Sequence, residues 1–232
     1  MALFPNLQSL IFGSGSKNNS PIVNVTNQKG QRMDTDHRVR INVPDSYIRA
    51  ATRGPTGELY NNDGIIFPYT PQISFEHKAD YTSPSVMHTN FAQHFYQRSS
   101  VSAITIAGKF TVQNDYDAGV YLSTIHLLRA LTKMLVNGES NAGSPPPVCR
   151  LFAYGPYMLN NVPVAVNSFK TDLPDNVDYY ALASASKPFA SSMVPVVSTI
   201  SVTLLPMYSR NEQQQFTVDG WLTGNLNKDG FL

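Results

Sequence analysis

The side chains that could carry covalent or metal chemistry are one cysteine and five histidines. Cys149 follows three prolines and has no histidine near it in sequence, which favours a buried structural thiol over a nucleophile. The histidines do not recur at ligand spacing, and a polar turn explains the segment from Asp34 to His37 better than a metal cluster does. Gly13 and Gly15 lack the preceding strand and third glycine of a phosphate-binding loop. The sequence therefore predicts a protein that is not an enzyme and uses no cofactor or metal.

Composition narrows the class of protein further. The 232 residues are 42% hydrophobic and 14% charged, with 16 prolines and 14 glycines, which indicates a globular, loop-rich chain. A net charge of +1 gives no general attraction to nucleic acid. A single cysteine excludes an intrachain disulfide, no apolar run is long enough for a bilayer, and the first residues lack a basic secretory segment. We expect folding in a reducing cytoplasm and no membrane contact.

The clearest strand covers residues 104–112. Its apolar residues alternate with threonine and lysine, which is the period-two pattern of a half-buried strand. The core residues predicted for this strand are Ile104, Ile106 and Phe110. Because the alternation is strong, this strand and the helix that follows it should organise the fold.

The helix is predicted at about residues 115–136. Asn114 supplies an N-cap oxygen, and the pair at residues 137–138 offers a left-handed stop. Ile125, Leu128 and Leu135 are its predicted core residues. The apolar stripe is so wide that one sheet should not cover it, so we expect part of it to meet a neighbouring subunit or protein.

Other alternating runs indicate further strands. They occur at residues 22–25, 39–43, 65–75 and 151–166, the last being a hairpin that should turn at Asn160 and Asn161. The final strong strand, at residues 196–208, directs Ile200, Val202 and Leu204 inward. The prolines at 68 and 71 belong at a strand entry or a sheet edge. The chain is therefore mainly β with one long α-helix, an α+β class.

Both ends of the chain are apolar, which suggests three parts. Residues 1–20 form a docking arm and hinge, residues 21–208 a β domain, and residues 209–232 an interaction tail. The interface candidates are the residues on one helical face of the arm and the aromatic residues of the tail: Leu3, Leu7, Leu10, Ile11, Phe216, Trp221 and Phe231. Two alternatives stay open, namely a frayed N-terminus and tail aromatics that only cover their own domain.

Five segments together resemble a known family: IIFPYTP at residues 65–71, SAITIAGKF at 102–110, the helix at 121–136, PPPVCRL at 145–151 and ISVTLLPMYSR at 200–210. The combination resembles baseplate proteins of contractile-tailed phages, and more narrowly the tail tube initiator or tube cap type. The similarity covers most of residues 65–232. The segments are packing motifs without a catalytic signature, so only their combination is specific.

The resemblance implies a tail-tube-like β-barrel or sandwich with one flanking helix. It also implies a homohexameric ring in the virion tail, between the baseplate hub and the tail tube, which is assembled in the host cytoplasm and nucleates the tube. The implied partners are further copies of the chain, the tail tube protein, the hub and wedge proteins and the tape measure protein. DNA would pass transiently through the ring's channel.

The strands at 104–112 and 196–205 are expected to close the channel wall by edge-to-edge pairing between copies. The proline-rich segments at 66–71 and 144–147 would end that pairing. Alternative functions are a tail terminator, a neck protein, another peripheral baseplate protein, or a ligand-binding β-sandwich module.

Overall fold

A computed structural model gives the architecture for residues 25–26, 32–33, 37–44, 47, 57–85, 87–134, 143–182 and 191–232. Its strands are β1 Val25–Thr26, β2 Arg32–Met33, β3 Arg40–Asn42, β4 Gly64–Ile66, β5 Gln72–Ser74, β6 His77–Thr82, β7 Phe95–Val101, β8 Ile104–Thr111, β9 Cys149–Ala153, β10 Leu159–Asp172, β11 Tyr179–Ala181, β12 Met193–Pro195 and β13 Val197–Pro206. Its helices are the 3₁₀ helix Gly57–Asn62, α1 Asp115–Leu131, α2 Arg210–Gln215, α3 Val218–Leu222 and α4 Asn225–Lys228. The prediction of a mainly β chain is confirmed.

Seven strands form one antiparallel sheet in the order β4-β3-β9-β10-β13-β8-β5. Strand β13 lies between β10 and β8, and β8 lies between β13 and the short strand β5. The expectation of edge-to-edge pairing with another copy is therefore wrong for β13, whose two sides are both paired within the sheet. For β8 the expectation is restricted, because β5 already occupies residues 105–107 of its outer edge. Among the described strands, β4 and β5 are the two terminal strands of this sheet.

The sheet does not close into a barrel among the described strands, because β4 and β5 do not pair. Only residues 67–71 connect these two opposite edges, so the edges cannot lie more than about 22 Å apart. The sheet must therefore curl strongly. Pro68 and Pro71 fall in this connection, where a missing N–H donor interrupts no ladder.

Side chains hold the two curled edges together. The Phe67 ring packs on Phe110 of β8 with 5.8 Å between centroids, and a Cβ atom at Gly108 would collide with the Phe67 ring. The Tyr154 hydroxyl donates a hydrogen bond of 2.9 Å to the carbonyl of Pro71. Glycine at position 108 is thus required so that Phe67 can approach the sheet. Side-chain packing therefore links the β4 and β5 edges of the sheet, which do not pair with each other.

One face of the curled sheet forms the hydrophobic core. The strand residues predicted as core are all buried in it: Ile104, Ile106, Phe110, Ile200, Val202 and Leu204. The helix residues Ile125 and Leu128 are buried as well, whereas Leu135 lies outside the described residues. The alternating pattern places these side chains inside because successive strand residues point to opposite faces.

Helix α1 begins where the sequence predicts it. The Asn114 side chain accepts a hydrogen bond of 2.9 Å from the Asp117 backbone N–H, which caps the first turn. The helix ends at Leu131 and not near residue 136, because Lys133 N–H donates to the carbonyl of Ala130 and the last turn tightens to i→i+3 bonds.

The chain itself covers the wide apolar stripe of α1. The helix contacts both β10 and the 3₁₀ helix, and Tyr121 packs on Phe110 with centroids 6.0 Å apart. Near the first turn the Tyr180 hydroxyl donates a 2.8 Å hydrogen bond to Asp115, which places β11 beside the helix. Whether a neighbouring subunit also contacts α1 stays a prediction.

The hairpin after the polyproline segment turns earlier than predicted. Strands β9 and β10 are joined by residues 154–158, and Asn160 and Asn161 lie within β10 at a register shift. Asn161 does have a positive φ of 56°. An asparagine in that conformation produces a bulge here and not the reversal itself, so the predicted turn position was wrong.

Candidate functional site: a projecting ribbon and the cleft at its base

Strands β5 to β8 form one long antiparallel ribbon. Strand β5 pairs with β8 inside the sheet, and β6 pairs with β7 beyond it. Between the two parts the backbone N–H of Ser102 donates to the Glu76 carbonyl at 2.8 Å, and the N–H of Glu76 donates to the Ser102 hydroxyl at 2.8 Å. The lower half of the ribbon therefore belongs to the sheet, and the upper half projects from its edge.

The projecting half is exposed on both faces. Every residue of β6 except Asp80 and every residue of β7 except Val101 is exposed. In the next strand, β8, by contrast, buried residues alternate with more exposed ones. A two-stranded ribbon with no covered face is marginally stable by itself. It therefore needs local contacts, a partner, or both.

Local contacts near the middle of the ribbon support its conformation. Asp80 accepts Lys78 Nζ at 2.8 Å and Arg98 Nε at 2.9 Å, and these hydrogen bonds lower the pKa of the Asp80 carboxyl. The rings of Tyr81 and Tyr96 meet edge to face with centroids 5.8 Å apart. Such pairs stabilise a hairpin modestly, because all of these groups stay in contact with water.

Both long edges of the projecting ribbon lack a partner among the described residues, because β6 and β7 pair only with each other. The hydrogen bond between Ser102 and Glu76 fixes which backbone groups face outward, since inward and outward groups alternate along an antiparallel pair. Lys78 and Ser100 point their N–H groups inward, and Ser99 and Val101 point theirs outward. The ribbon thus offers two strand edges for pairing with another chain.

The loop at the tip of the ribbon, residues 83–94, is mostly polar but carries no strongly charged side chain. No Asp, Glu, Lys or Arg occurs in residues 81–94. Phe91 and Met87 are 85% and 82% exposed, more than any other large hydrophobic residue in the described part of the chain. Single exposed apolar side chains are common on protein surfaces, so these two residues do not by themselves define a contact surface.

The C-terminal tail folds back next to the base of the ribbon. The Phe231 ring stacks on Tyr208 with 5.3 Å between centroids and 5° between planes, and it also contacts Phe216. The Asn160 side chain donates to the Lys228 carbonyl, and a Cβ atom at Gly230 would collide with the Asn161 carbonyl. The tail is therefore fitted closely to its own domain.

The three aromatic candidates of the tail differ in exposure. Phe231 is 8% exposed and covers its own chain, whereas Phe216 is 44% exposed and Trp221 is half-buried. The candidates Leu3, Leu7, Leu10 and Ile11 lie outside the described residues. Of the three aromatic candidates, Phe216 and Trp221 thus remain accessible to a partner.

A cleft of about 550 Å³ separates the tail from the base of the ribbon. Its ribbon side consists of residues 77–79 and 99–101, and its other side is formed by Pro206, Tyr208, Phe216, Trp221 and Leu232. Strand β13 ends at Pro206, and Met207 N–H then donates to the Pro163 carbonyl of β10 at 2.8 Å. Strand β13 therefore continues along β10 and does not pair with β7, and both ribbon strands border the open cleft.

Cys149 does not provide an alternative site. It is fully buried at the start of β9, and burial raises the pKa of its thiol to about 12, which keeps it protonated at neutral pH. No group of three His, Cys, Asp or Glu side chains that could hold a metal occurs in the described residues. None of the helices in that part of the chain has the length and hydropathy needed to span a bilayer.

Sequence reasoning did not identify the projecting ribbon. The sequence patterns described above predict no strand between residues 76 and 103. Tyr81, Thr82, Phe95 and Tyr96 favour strands by intrinsic preference, and this was the available signal. The signal is weak without alternation, because neither face of the ribbon is buried.

Comparisons with known proteins add little. No family model and no curated protein matches the chain. Among solved structures, the chain is similar to a chain of the anti-feeding prophage baseplate, determined by cryo-electron microscopy with six-fold symmetrisation. The identity is 10%, the TM-score is 0.32, and the match covers 76% of this chain and 93% of that one. At this TM-score the similarity does not establish a shared fold.

Proposed function

We propose that this chain is a non-catalytic structural protein of a contractile phage tail baseplate. It forms a ring, homohexameric by the family resemblance, between the hub and the tail tube. The ring surrounds the DNA channel and is the template on which tube subunits polymerise. The observation that carries the proposal is the projecting ribbon, whose β6 and β7 strands have two unpaired edges in the described structure.

The ribbon supports ring formation for a geometric reason. Strands β6 and β7 run in opposite directions, so copies placed side by side in one orientation bring β7 of each copy beside β6 of the next. Those two strands are then antiparallel and can pair. Such a contact joins different surfaces of identical subunits and closes into a ring when the rotation between copies allows it.

The proposed pairing replaces the one suggested by the sequence. Strand β13 is paired on both sides and β8 pairs with β5 only at residues 105–107, whereas the outer edges of the ribbon strands, six and seven residues long, have no partner among the described residues. Pairing of the ribbons would also stabilise a segment that is only marginally stable alone. The channel wall would then consist of ribbons joined edge to edge.

A proline variant tests the edge contact. Ser99→Pro removes an N–H group that points out of the ribbon and leaves the inward ladder in place, so it should prevent ring formation without unfolding the chain. Ser99→Thr keeps the N–H group and is the matched control. Mass photometry should find rings for the parent and Ser99→Thr, and monomers for Ser99→Pro.

Cysteine cross-linking tests the direction of the contact. Ser99→Cys and Ala79→Cys in separate chains should form a disulfide-linked dimer only when the two chains are mixed, because β7 meets β6 and not itself. The native thiol will not interfere, since Cys149 is buried and protonated. Cross-linking of Ser99→Cys with itself would instead demonstrate a two-fold contact and contradict the ring.

Tube assembly tests the role in the particle. Rings added to tube subunits and hub complex should shorten the lag before tubes appear, and every tube should begin at a ring. Particles that lack this chain and still grow tubes of normal number would refute the initiator role. A position near the head in an electron-microscopy map would favour the tail terminator or neck alternative.

A further inference from the structure

A pair of arginines lies on the outer face of the sheet, where β3 runs beside β9. The odd-numbered residues of both strands point into the core, so the even-numbered residues share the opposite face. Arg40 is paired with Phe152, and Asn42 is paired with Arg150. The two arginines are therefore diagonal neighbours across the strand pair, with Cβ atoms no more than about 7–8 Å apart. Side chains of this length can both reach one group bound between them.

Contacts within the domain hold both guanidinium groups in place. The central carbon of the Arg40 guanidinium lies over the Phe152 ring, 4.8 Å from its centroid. Arg150 Nη1 donates a hydrogen bond of 3.3 Å to the carbonyl of Asn161. Both arginines are half-buried, so their side chains are restricted by packing as well. A guanidinium that is already ordered loses less entropy when it binds a ligand.

Neither arginine forms an ion pair within the described part of the chain. The ion pairs found there involve other residues, and Arg40 Nε is buried without a hydrogen-bond partner. Hydrogen bonds from Ser209 lower the pKa of the Glu212 carboxyl, and the charge of Arg150 adds to this effect. That carboxylate accepts the Ser209 backbone N–H at 2.6 Å as part of the cap of α2. An unpaired, partly desolvated guanidinium costs free energy, which a bound anion would recover.

We propose that Arg40 and Arg150 bind the carboxylate of an Asp or Glu side chain from another protein chain. The inference goes beyond the proposed function and does not depend on the ring, because one copy of the chain supplies the whole site. The planar guanidinium of Arg40 can donate two parallel hydrogen bonds to a carboxylate, and Arg150 places a second positive charge beside it.

The surroundings of the pair favour a protein carboxylate over the phosphates of a nucleic acid. On the same face the neighbouring side chains are uncharged, namely those of Ile66, Phe152 and Asn42. A nucleic acid is bound by several basic side chains that follow its backbone, whereas this site offers two and the chain has a net charge of only +1. Arginine among apolar and aromatic side chains is typical of protein–protein interfaces.

Peptide binding to the full chain tests the site. Fluorescence anisotropy of a rhodamine-labelled peptide of alternating glutamate and glycine should show saturable binding, and the same peptide with glutamine for glutamate should not bind. Arg40→Lys keeps the charge and loses the planar fork, so it should weaken binding at least about tenfold. Arg129→Lys, at an exposed arginine in the last turn of α1, is the matched control and should leave the affinity unchanged.

Phe152→Leu tests how Arg40 is held. The substitution removes the stacked ring but no charge, so binding should weaken while thermal melting shows that the chain still folds. The loss should be smaller than that caused by Arg40→Lys, because the guanidinium itself is still present. Unchanged binding by Phe152→Leu would contradict a fork that the ring holds in place.

Three results would overturn the carboxylate site. The first is that the glutamate peptide shows no saturable binding to the parent chain. The second is equal weakening by Arg40→Lys and Arg129→Lys, which would indicate only a general attraction between charges. The third is that a duplex DNA oligonucleotide binds more tightly than the peptide and also requires Arg40, which would assign the pair to phosphate. Each of these results would leave the proposed ring intact.

Discussion

Strands β7 and β8 are neighbours in the chain, but their surroundings are opposite. Strand β8 buries alternate residues in the core, whereas β7 exposes nearly all of its residues. Strand β8 pairs with strands on both sides, and β7 pairs only with β6. The comparison shows that one long ribbon can serve two purposes. Its lower half stabilises the domain, and its upper half remains available for contacts between chains.

The largest expected effect is in the buried half of the molecule. Leu128→Ala removes a fully buried side chain of α1 and should lower the free energy of unfolding by about 2–5 kcal/mol. Leu222→Ala makes the same chemical change at a side chain that is 79% exposed. This variant should change the free energy of unfolding by less than about 0.5 kcal/mol. Denaturant titration measures both. Equal losses would contradict the assignment of α1 to the core.

A smaller loss should result from Gly108→Ala at the centre of β8. The added methyl group collides with the buried Phe67 ring and should cost about 1–3 kcal/mol. Phe67→Leu should relieve part of this collision, so the double variant should lose less than the sum of the two single losses. Thermal melts of the three variants test this. Strict additivity would show that Phe67 does not close the gap between the sheet edges.

A substitution in the projecting ribbon should lower amide protection in the ribbon and not in the sheet. Tyr96→Ala removes an aromatic pair worth about 0.5–1.5 kcal/mol and should reduce hydrogen-exchange protection of the β6 and β7 amides. Protection in β8 and β13 should not change, because those strands belong to the sheet. Tyr116→Ala, at a similarly exposed tyrosine of α1, is the control. Loss of protection throughout the sheet would mean that the ribbon and the sheet unfold together.

The stability of the ribbon in acid should depend on the ionisation of the Asp80 carboxyl. Its hydrogen bonds to Lys78 and Arg98 lower the pKa of this carboxyl below its ordinary value in the unfolded chain. Stabilisation by Asp80 is therefore complete above that ordinary value and is lost as pH falls through the lower pKa of the folded state. Amide protection in the ribbon should fall in acid before that of the sheet. Asp80→Asn should remove this selective acid sensitivity.

Much of the domain follows from local patterns in the sequence. The alternation in residues 104–112 predicted β8, because buried and exposed side chains must alternate along a strand. Asn114 predicted the start of α1, because its side chain can bond only to the first turn. The end of the helix was less predictable. The helix ends at Leu131, where the last turn tightens to an i→i+3 hydrogen bond, and not at the stop predicted for residues 137–138.

Candidate contact residues were predictable only in part. Phe216, Trp221 and Phe231 have the residue types of interface anchors, but Phe231 stacks on its own Tyr208. That contact joins residues far apart in sequence, so no local pattern indicates it. The ribbon was missed for the opposite reason, since it has no buried face that would impose a pattern on its residues.

The sequence by itself determined a mainly β chain, the positions of its buried strands and the start of its helix, because these depend on the order of apolar and polar residues along a short segment. Only the tertiary structure decided which strands lie inside the sheet and which edges remain free. Strands β8 and β7 both have residues that favour extended backbone, and their difference arises from what packs beside them. Pairing partners, the curl of the sheet and the cleft beside Trp221 depend on contacts between distant segments, which the local pattern does not specify.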